Sequence, residues 1–168
     1  MKARRTPAID SETRLRDGHH VSLRLWLRLF ACTSLIEARI RQKLQTAFNM
    51  TLPRFDLMAQ LERCPEGLKM SELSLRLMVT GGNITGITDT LEREGLVERV
   101  DDPSDRRAWR VKLTKDGVQL FRKIAAEHER WLIELFAEIP HRKQANLTEL
   151  LARLKHAVAG HGVSESAT

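Results

Sequence analysis

A mainly helical protein with one small β hairpin is the fold class predicted by three features of this sequence. Its 168 residues are 42% hydrophobic yet only 5% aromatic, with no tyrosine. That aliphatic composition suits helices packed on helices. Long segments repeat their apolar residues at helical spacing: Leu25, Leu29, Cys32, Ile36, Ile40 and Leu44 near the start, and Leu147, Leu150, Leu151, Leu154 and Val158 near the end. Between them, only Leu96–Val100 and Ala108–Leu113 read as paired strands, joined by the turn-rich run DDPSDRR at 101–107. A chain of this length fits one domain with a substantial core.

Residues 1–17 are polar and mixed in charge, which predicts a flexible N-terminal segment. Val21–Phe48 is predicted as one long helix. Leu23, Trp26, Leu27 and Phe30 add a second apolar patch beside its main stripe. A helix apolar on two sides is covered from two sides, and in so small a protein the second cover is expected to be another subunit. Thr51 and Pro53 start the next helix, with Phe55, Leu57, Met58 and Leu61 inward. Pro65-Glu66-Gly67 ends it, and Leu68–Met70 reads as a short strand. Ser71 is expected to cap a helix over Glu72–Met78, without a full capping box.

Thr80 is then expected to cap a helix of roughly four turns, stopped by Gly95. Its first half is small and polar (Gly81, Gly82, Asn83, Thr85, Thr88), while Ile84, Ile87 and Leu91 occupy its other side. After the hairpin, Thr114 caps a fifth long helix whose inward face reads Phe121, Ile124, Ala125, His128, Trp131, Leu132, Leu135 and Phe136. Pro140 starts the last helix, and 159–168 are expected to form a flexible tail. A helix with a small, hydrogen-bonding N-terminal half fits a DNA major groove. A hairpin with paired arginines at its tip fits the phosphates and minor groove alongside. The order of elements therefore spells a winged helix-turn-helix flanked by long N- and C-terminal helices.

Charge agrees with that reading. Lys and Arg number 28 against 22 Asp and Glu, a formal charge of +6, which favours a polyanionic partner. Cys32 and Cys64 form neither a disulfide framework nor a zinc motif, so a reducing cytoplasm is expected. Met1-Lys2-Ala3-Arg4-Arg5 is followed by no clean apolar run, and Arg24 and Arg28 interrupt Val21–Ile36, so neither a signal peptide nor a membrane span is expected. The six histidines make no tight metal pattern, and neither a P-loop nor a dinucleotide fingerprint is present. No enzyme, cofactor or metal is expected.

The run MSELSLRLMVTGGNITGITDTLEREGLVERVDDPSDRRAWRVKLTKDG, preceded by LPRFDLMAQL, closely resembles the MarR family of bacterial transcriptional regulators. The match rests on Gly82-Asn83-Ile84-Thr85-Gly86, then Leu91-Glu92 with Glu94-Gly95-Leu96-Val97, then Asp102-Pro103 with Asp105-Arg106-Arg107, and Leu113-Thr114. It covers roughly residues 21–158. The departure is Gly81-Gly82, where many members carry a serine near the start of the recognition helix. The resemblance implies a two-fold dimer built by the first and last two helices, at 18–48 and 115–158, around a DNA-binding region at 51–114. It also implies a ligand or redox input that changes DNA affinity.

The residues expected to meet DNA are Ser71, Arg76, Thr80, Gly82, Asn83, Thr85, Gly86, Thr88 and Arg93 from the helices, and Asp105, Arg106 and Arg107 from the wing. Asn83, Thr85 and Thr88 supply short donors and acceptors, and Gly86 allows either a close approach to DNA or helix–helix packing. One wing arginine would reach the minor groove while the other meets phosphate or tethers to Asp105. Arg110, Lys112 and Lys115 are further candidates for phosphate contacts, with a solvated role as the alternative. Arg24, Trp26, Arg28, Phe30 and His128 could border a cavity for an anionic aromatic acid or its acyl-CoA thioester, although core and dimer packing is the simpler account of the aromatics and a solvated basic face that of the arginines. Cys32 on the apolar stripe reads as a packing residue before a redox switch, because no His or Lys stands one helical turn away. The leading function is a ligand-responsive repressor released from a pseudo-palindromic operator. The alternatives are a thiol-based sensor of the same fold and a winged-helix protein-interaction module.

Overall fold

In the computed structural model the described residues are 20–77, 80–103 and 105–161, those at 105–107 and 161 by backbone alone. The expected flexible segment 1–17, Met78, Ser104 and the tail beyond 161 lie outside them. The elements are α1 (Val21–Phe48), α2 (Leu52–Glu62), β1 (Leu68–Lys69), α3 (Met70–Leu77), α4 (Gly81–Arg93), β2 (Val97–Asp102), β3 (Asp105–Leu113), α5 (Lys115–Phe136) and α6 (His141–His161). The mainly α class with a small β wing is the fold observed. The chain divides into two compact units, Met1–Ile124 and Ala125–Thr168.

In the first unit, α1 ends where Asn49 turns left-handed at φ 50° and its N–H bonds back to Gln45 O. Asparagine tolerates that conformation better than most residues. The helix buries only Ile40 and Leu44, toward its C-terminal end, and lies beside α2, where Phe55, Leu57, Met58 and Leu61 are all buried. Phe55 stacks on Phe121 of α5 with ring centroids 5.6 Å apart. Leu73 of α3 and the Ile84–Thr88–Leu91 stripe of α4 complete this core from below.

The sheet is antiparallel in the order β1-β3-β2, with Leu68 opposite Val111 and Val97 opposite Leu113. The strands run further into the hairpin than expected. Asp102 pairs with Asp105, so most of the anticipated connecting run is strand. Two glycines fix the sheet against the helices. Gly67 has φ +84°, and a Cβ there would lie 2.8 Å from Val111 O. A Cβ on Gly117 would fall 1.9 Å from Leu96 O, so α5 can lie against the start of β2 only without a side chain at that position.

Helix starts differ from expectation in one place. Ser71 does not cap α3, because the helix begins one residue earlier, directly out of β1. Glu72 instead accepts the Lys69 N–H at 2.8 Å, which is the carboxylate half of a capping box. Thr80 and Thr51 occupy N-cap positions without side-chain caps. Thr114 does cap α5: its Oγ1 accepts Gly117 N–H at 3.0 Å and donates to Gly95 O at 2.7 Å.

In the second unit, the end of α5 buries Trp131. Gln144 Nε2 donates to the carbonyls of Phe136 at the end of α5 and of Ile139 in the following turn, at 3.1 and 2.7 Å, and so ties the turn before α6. α6 runs to His161, three residues past its expected end at Val158. Among its described residues none is buried, and Leu147, Leu150, Leu151, Leu154 and Val158 all stand exposed.

Candidate nucleic-acid interface

The candidate surface lies wholly in the first unit, on α3, α4 and the hairpin. Helical periodicity divides α4 in two. Ile84, Thr88 and Leu91 face the core, and Gly81, Gly82, Asn83, Thr85, Gly86 and Arg93 are exposed. Thr88 therefore corrects the sequence expectation. Its side chain is fully buried, donates to Ile84 O at 2.8 Å and lies 3.8 Å from Met70 Sδ. It belongs to the stripe that seats α4 on α3, because a residue four after Ile84 and three before Leu91 must share their side.

The exposed face of α4 is unusually bare. A Cβ on Gly81, Gly82 or Gly86 would meet nothing within 4 Å. Packing among the described residues thus requires none of the three, and helix–helix packing among them does not account for Gly86. Each glycine costs a helix about 1 kcal/mol relative to alanine. The result is a low ridge, with Gly82 and Gly86 along the crest, Asn83 on one flank and Thr85 on the other. An object entering along this ridge reaches the helix backbone closely.

The hairpin beside α4 is held by ion pairs that the sequence did not announce. Arg99 of β2 pairs with both Asp89 and Glu92 of α4, fastening the wing strand to the helix. Asp102, whose side chain is fully buried, accepts from Arg110 Nε at 2.8 Å and pairs with Lys69 Nζ at 3.3 Å. Arg110 also donates to Gly67 O at 3.3 Å, and Lys112 pairs with Glu98 at 3.3 Å. Arg110 and Lys112, candidates for phosphate contacts with a solvated role as the alternative, are thus engaged within the sheet. The backbone of 105–107 is in β3, which places Asp105, Arg106 and Arg107 at the start of the outgoing wing strand. Their side chains lie outside the described residues. Trp109, opposite Asp101, is 56% exposed on the same strand, an exposed aromatic the sequence reading passed over.

On α3, Ser71 and Arg76 are exposed, and Arg76 Nη1 lies 3.4 Å from Cys64 Sγ. Thr80 is exposed at the head of α4. The structure therefore brings Ser71, Arg76, Thr80, Gly82, Asn83, Thr85, Gly86 and Arg93 to the exposed faces of α3 and α4 and withdraws Thr88.

The residues expected to meet a small molecule divide between the two units. Arg24, Trp26, Arg28 and Phe30 lie on the N-terminal half of α1, where the Trp26 and Phe30 rings are 6.0 Å apart, tilted by 32° and largely exposed. His128 belongs to the second unit and is half-buried. Burial disfavours its charged form and holds it below the ordinary 6.5, so at neutral pH it contributes an uncharged ring. Cys32 is exposed and Cys64 half-exposed, both as free thiols. Among the described residues no cluster of three His, Cys, Asp or Glu could hold a metal, and no helix is long and apolar enough to cross a membrane.

Comparison with known proteins places this surface in context. Residues 50–109, which span α2 to the wing, match the MarR family. The transcriptional regulator PecS of Dickeya dadantii is 30% identical over 131 residues, covering 74% of this chain and 77% of PecS. PrsX of Escherichia coli, also an HTH-type transcriptional regulator, is 38% identical over 77 residues. That match spans about half of this chain and half of PrsX, 46% of each. Among solved structures, a MarR family transcriptional regulator from Silicibacter pomeroyi superposes with a TM-score of 0.71 at 29% identity, covering 86% of this chain and 99% of that one.

Proposed function

Because the chain belongs to the MarR family of transcriptional regulators, we propose that it binds duplex DNA as a two-fold dimer and represses from a pseudo-palindromic operator. In this reading the bare ridge of α4 enters the major groove, with Gly82 and Gly86 allowing close approach and Asn83 and Thr85 facing base edges. Ser71, Arg76, Thr80 and Arg93 position the helix on phosphates, and Asp105, Arg106 and Arg107 form the wing's contact with the backbone and minor groove. The observation that carries the reading is the glycine-crested face of α4, fastened to the wing through Arg99. It supports the reading because two ion pairs from Arg99 join a helix with a bare exposed face to the hairpin.

The exposed α6 stripe supports the dimer. Five large aliphatic side chains at helical spacing are a poor surface for a lone subunit and a good seam for two. The exposed N-terminal half of α1 supports the same reading. Repression would be relieved by an anionic aromatic acid or its acyl-CoA thioester. Trp26 and Phe30 would accept a flat ring and Arg24 and Arg28 its negative charge. Such a ligand acts only through its differential affinity for the two states, typically 1–3 kcal/mol, or roughly 5–150-fold weaker DNA binding at saturation. The two free thiols suit a cytoplasmic setting.

The test is a binding titration at several salt concentrations, followed by addition of benzoate-, cinnamate- and acyl-CoA-type compounds with Trp fluorescence recorded alongside. Replacing Arg106 and Arg107 by alanine should flatten the salt dependence by about 0.9 in slope per lost phosphate contact. An unchanged slope would remove the wing from the interface. One observation favours a second input: Cys32 is exposed in the subunit rather than packed. If no compound releases DNA but peroxide does, and Cys32→Ser abolishes that response, the regulator is a thiol sensor.

A further inference from the structure

All three threonines of α4 turn their hydroxyls back onto their own helix. Thr85 Oγ1 donates to Gly81 O at 3.0 Å, Thr88 Oγ1 to Ile84 O at 2.8 Å, and Thr90 Oγ1 to Gly86 O at 2.9 Å. Thr88 is buried, and Thr90 is half-buried toward the C-terminal end. Thr85 is exposed, in the N-terminal half where a helix lying in the major groove meets base edges. Its single O–H donor is already used. Beside the oxygen's lone pairs, the side chain of this exposed residue still has its γ-methyl to offer, on the flank of a ridge whose glycines let a partner approach closely.

On this basis we propose that Thr85 is a specificity-determining residue that reads a thymine through contact between its γ-methyl and the thymine 5-methyl group. The proposal rests on the DNA-binding reading above. The major groove distinguishes thymine from every other base by that methyl, and an apolar side-chain contact is one way to read it. Asn83, on the opposite flank, is the exposed amide of the helix and pairs naturally with adenine N6 and N7. The two flanks together recognise A·T pairs. Hydrogen-bonded reading by the Thr85 hydroxyl is the competing arrangement, since its lone pairs can still accept from adenine N6 or cytosine N4.

Valine and serine separate the two. Thr85→Val keeps the methyl and removes the hydroxyl, whereas Thr85→Ser keeps the hydroxyl and removes the methyl. A duplex is selected from a random-sequence pool with the full-length wild-type chain. Each of its thymines is then replaced singly by deoxyuridine, which lacks only the 5-methyl. Circular dichroism and thermal melting establish that both variants fold.

We expect wild-type affinity to fall about fourfold at one thymine per half-site, the worth of burying one methyl group. Thr85→Val should bind like wild type and keep that sensitivity. Thr85→Ser should bind the thymine duplex about fourfold more weakly per half-site and lose no further affinity on deoxyuridine replacement. If Thr85→Val loses as much as Thr85→Ser, the hydroxyl is the reader and the proposal fails. It fails equally if Thr85→Ser stays as sensitive to deoxyuridine as wild type at every thymine. In both cases specific duplex binding survives. Failure of the pool to enrich any sequence would instead overturn the DNA-binding reading, and the proposal with it.

Discussion

Replacing Asp102 by alanine should loosen the wing more than any substitution at its surface. The carboxylate has no exposed side-chain area and serves two cations, Arg110 at 2.8 Å and Lys69 at 3.3 Å. Removing it leaves those two charges without their shared partner. Breaking a fully buried ion pair costs about 3–5 kcal/mol, while an exposed one is worth at most about 1. Arg110 and Lys69 are 26% and 33% exposed, so each can regain part of its hydration. An intermediate cost of about 2–3 kcal/mol follows. For a chain of this size that corresponds to a melting temperature lower by about 4–12 °C. Thermal melting and urea unfolding read the loss directly. Because Arg110 also holds Gly67 O, hydrogen exchange should rise together at Gly67, Lys69 and the amides of β2 and β3. A variant that melted within about 1 °C of wild type, with unchanged wing exchange, would refute the idea that this buried acid anchors the hairpin.

Three further outcomes follow from the same geometry. Gly117→Ala would drive a methyl group to 1.9 Å from Leu96 O, so α5 and β2 must separate; destabilisation of about 1–3 kcal/mol or more is expected by chemical denaturation, whereas Gly86→Ala, which faces open space, should leave the subunit as stable or more so. Leu150→Glu with Leu154→Glu places charges in the exposed α6 stripe and should give monomers or aggregates by sedimentation, with DNA binding lost; a variant that stayed dimeric would take this stripe out of the subunit interface. Asp56 is pushed above its ordinary 3.8, first by burial and then by Glu37, against the opposing pull of Arg41. Its folded pKa is raised, so its contribution to stability is fully present below 3.8 and is lost as pH rises through the folded value. Asp56→Asn should therefore be more stable than wild type at pH 7, with an advantage that shrinks as pH falls toward 3.8.

Much of the fold was legible because local rules and packing agree along this chain. The left-handed stop at Gly95 and the Thr114 cap each follow from one residue type in one position, and the span of α1 and the inward face of α2 follow from apolar residues at helical spacing. Ser71 misled because a serine before a helix resembles a cap, whereas the β1 pairing carries the chain straight into α3 and leaves Glu72 to satisfy the free N–H. Thr88 misled because its polarity suggested exposure. Its spacing from Ile84 and Leu91 was the available signal, and its hydroxyl is satisfied by its own helix. The supports of the wing were harder to read. Asp101 and Asp102 are the same residue type side by side, and only the strand register decides that Asp102 is buried and Asp101 exposed. Arg99 could equally have been a phosphate ligand; the acids that claim it, Asp89 and Glu92, come within reach only once β2 folds back beside α4. The bareness of the α4 face was visible as three glycines. That nothing among the described residues requires these positions to lack a side chain was visible only in three dimensions.

Hydroxyl-radical footprinting of the full-length chain on its selected duplex tests the central claim most directly. Two copies of α4 related by a two-fold axis should protect two patches on the same side of the duplex, about one turn or roughly 34–36 Å apart, with half-sites about 10 bp from centre to centre. Protection beside each patch should fade in the Arg106→Ala, Arg107→Ala variant while the protected major-groove segments stay in register. A single asymmetric patch, or no protection at salt concentrations where the chain is folded and dimeric, would contradict the account.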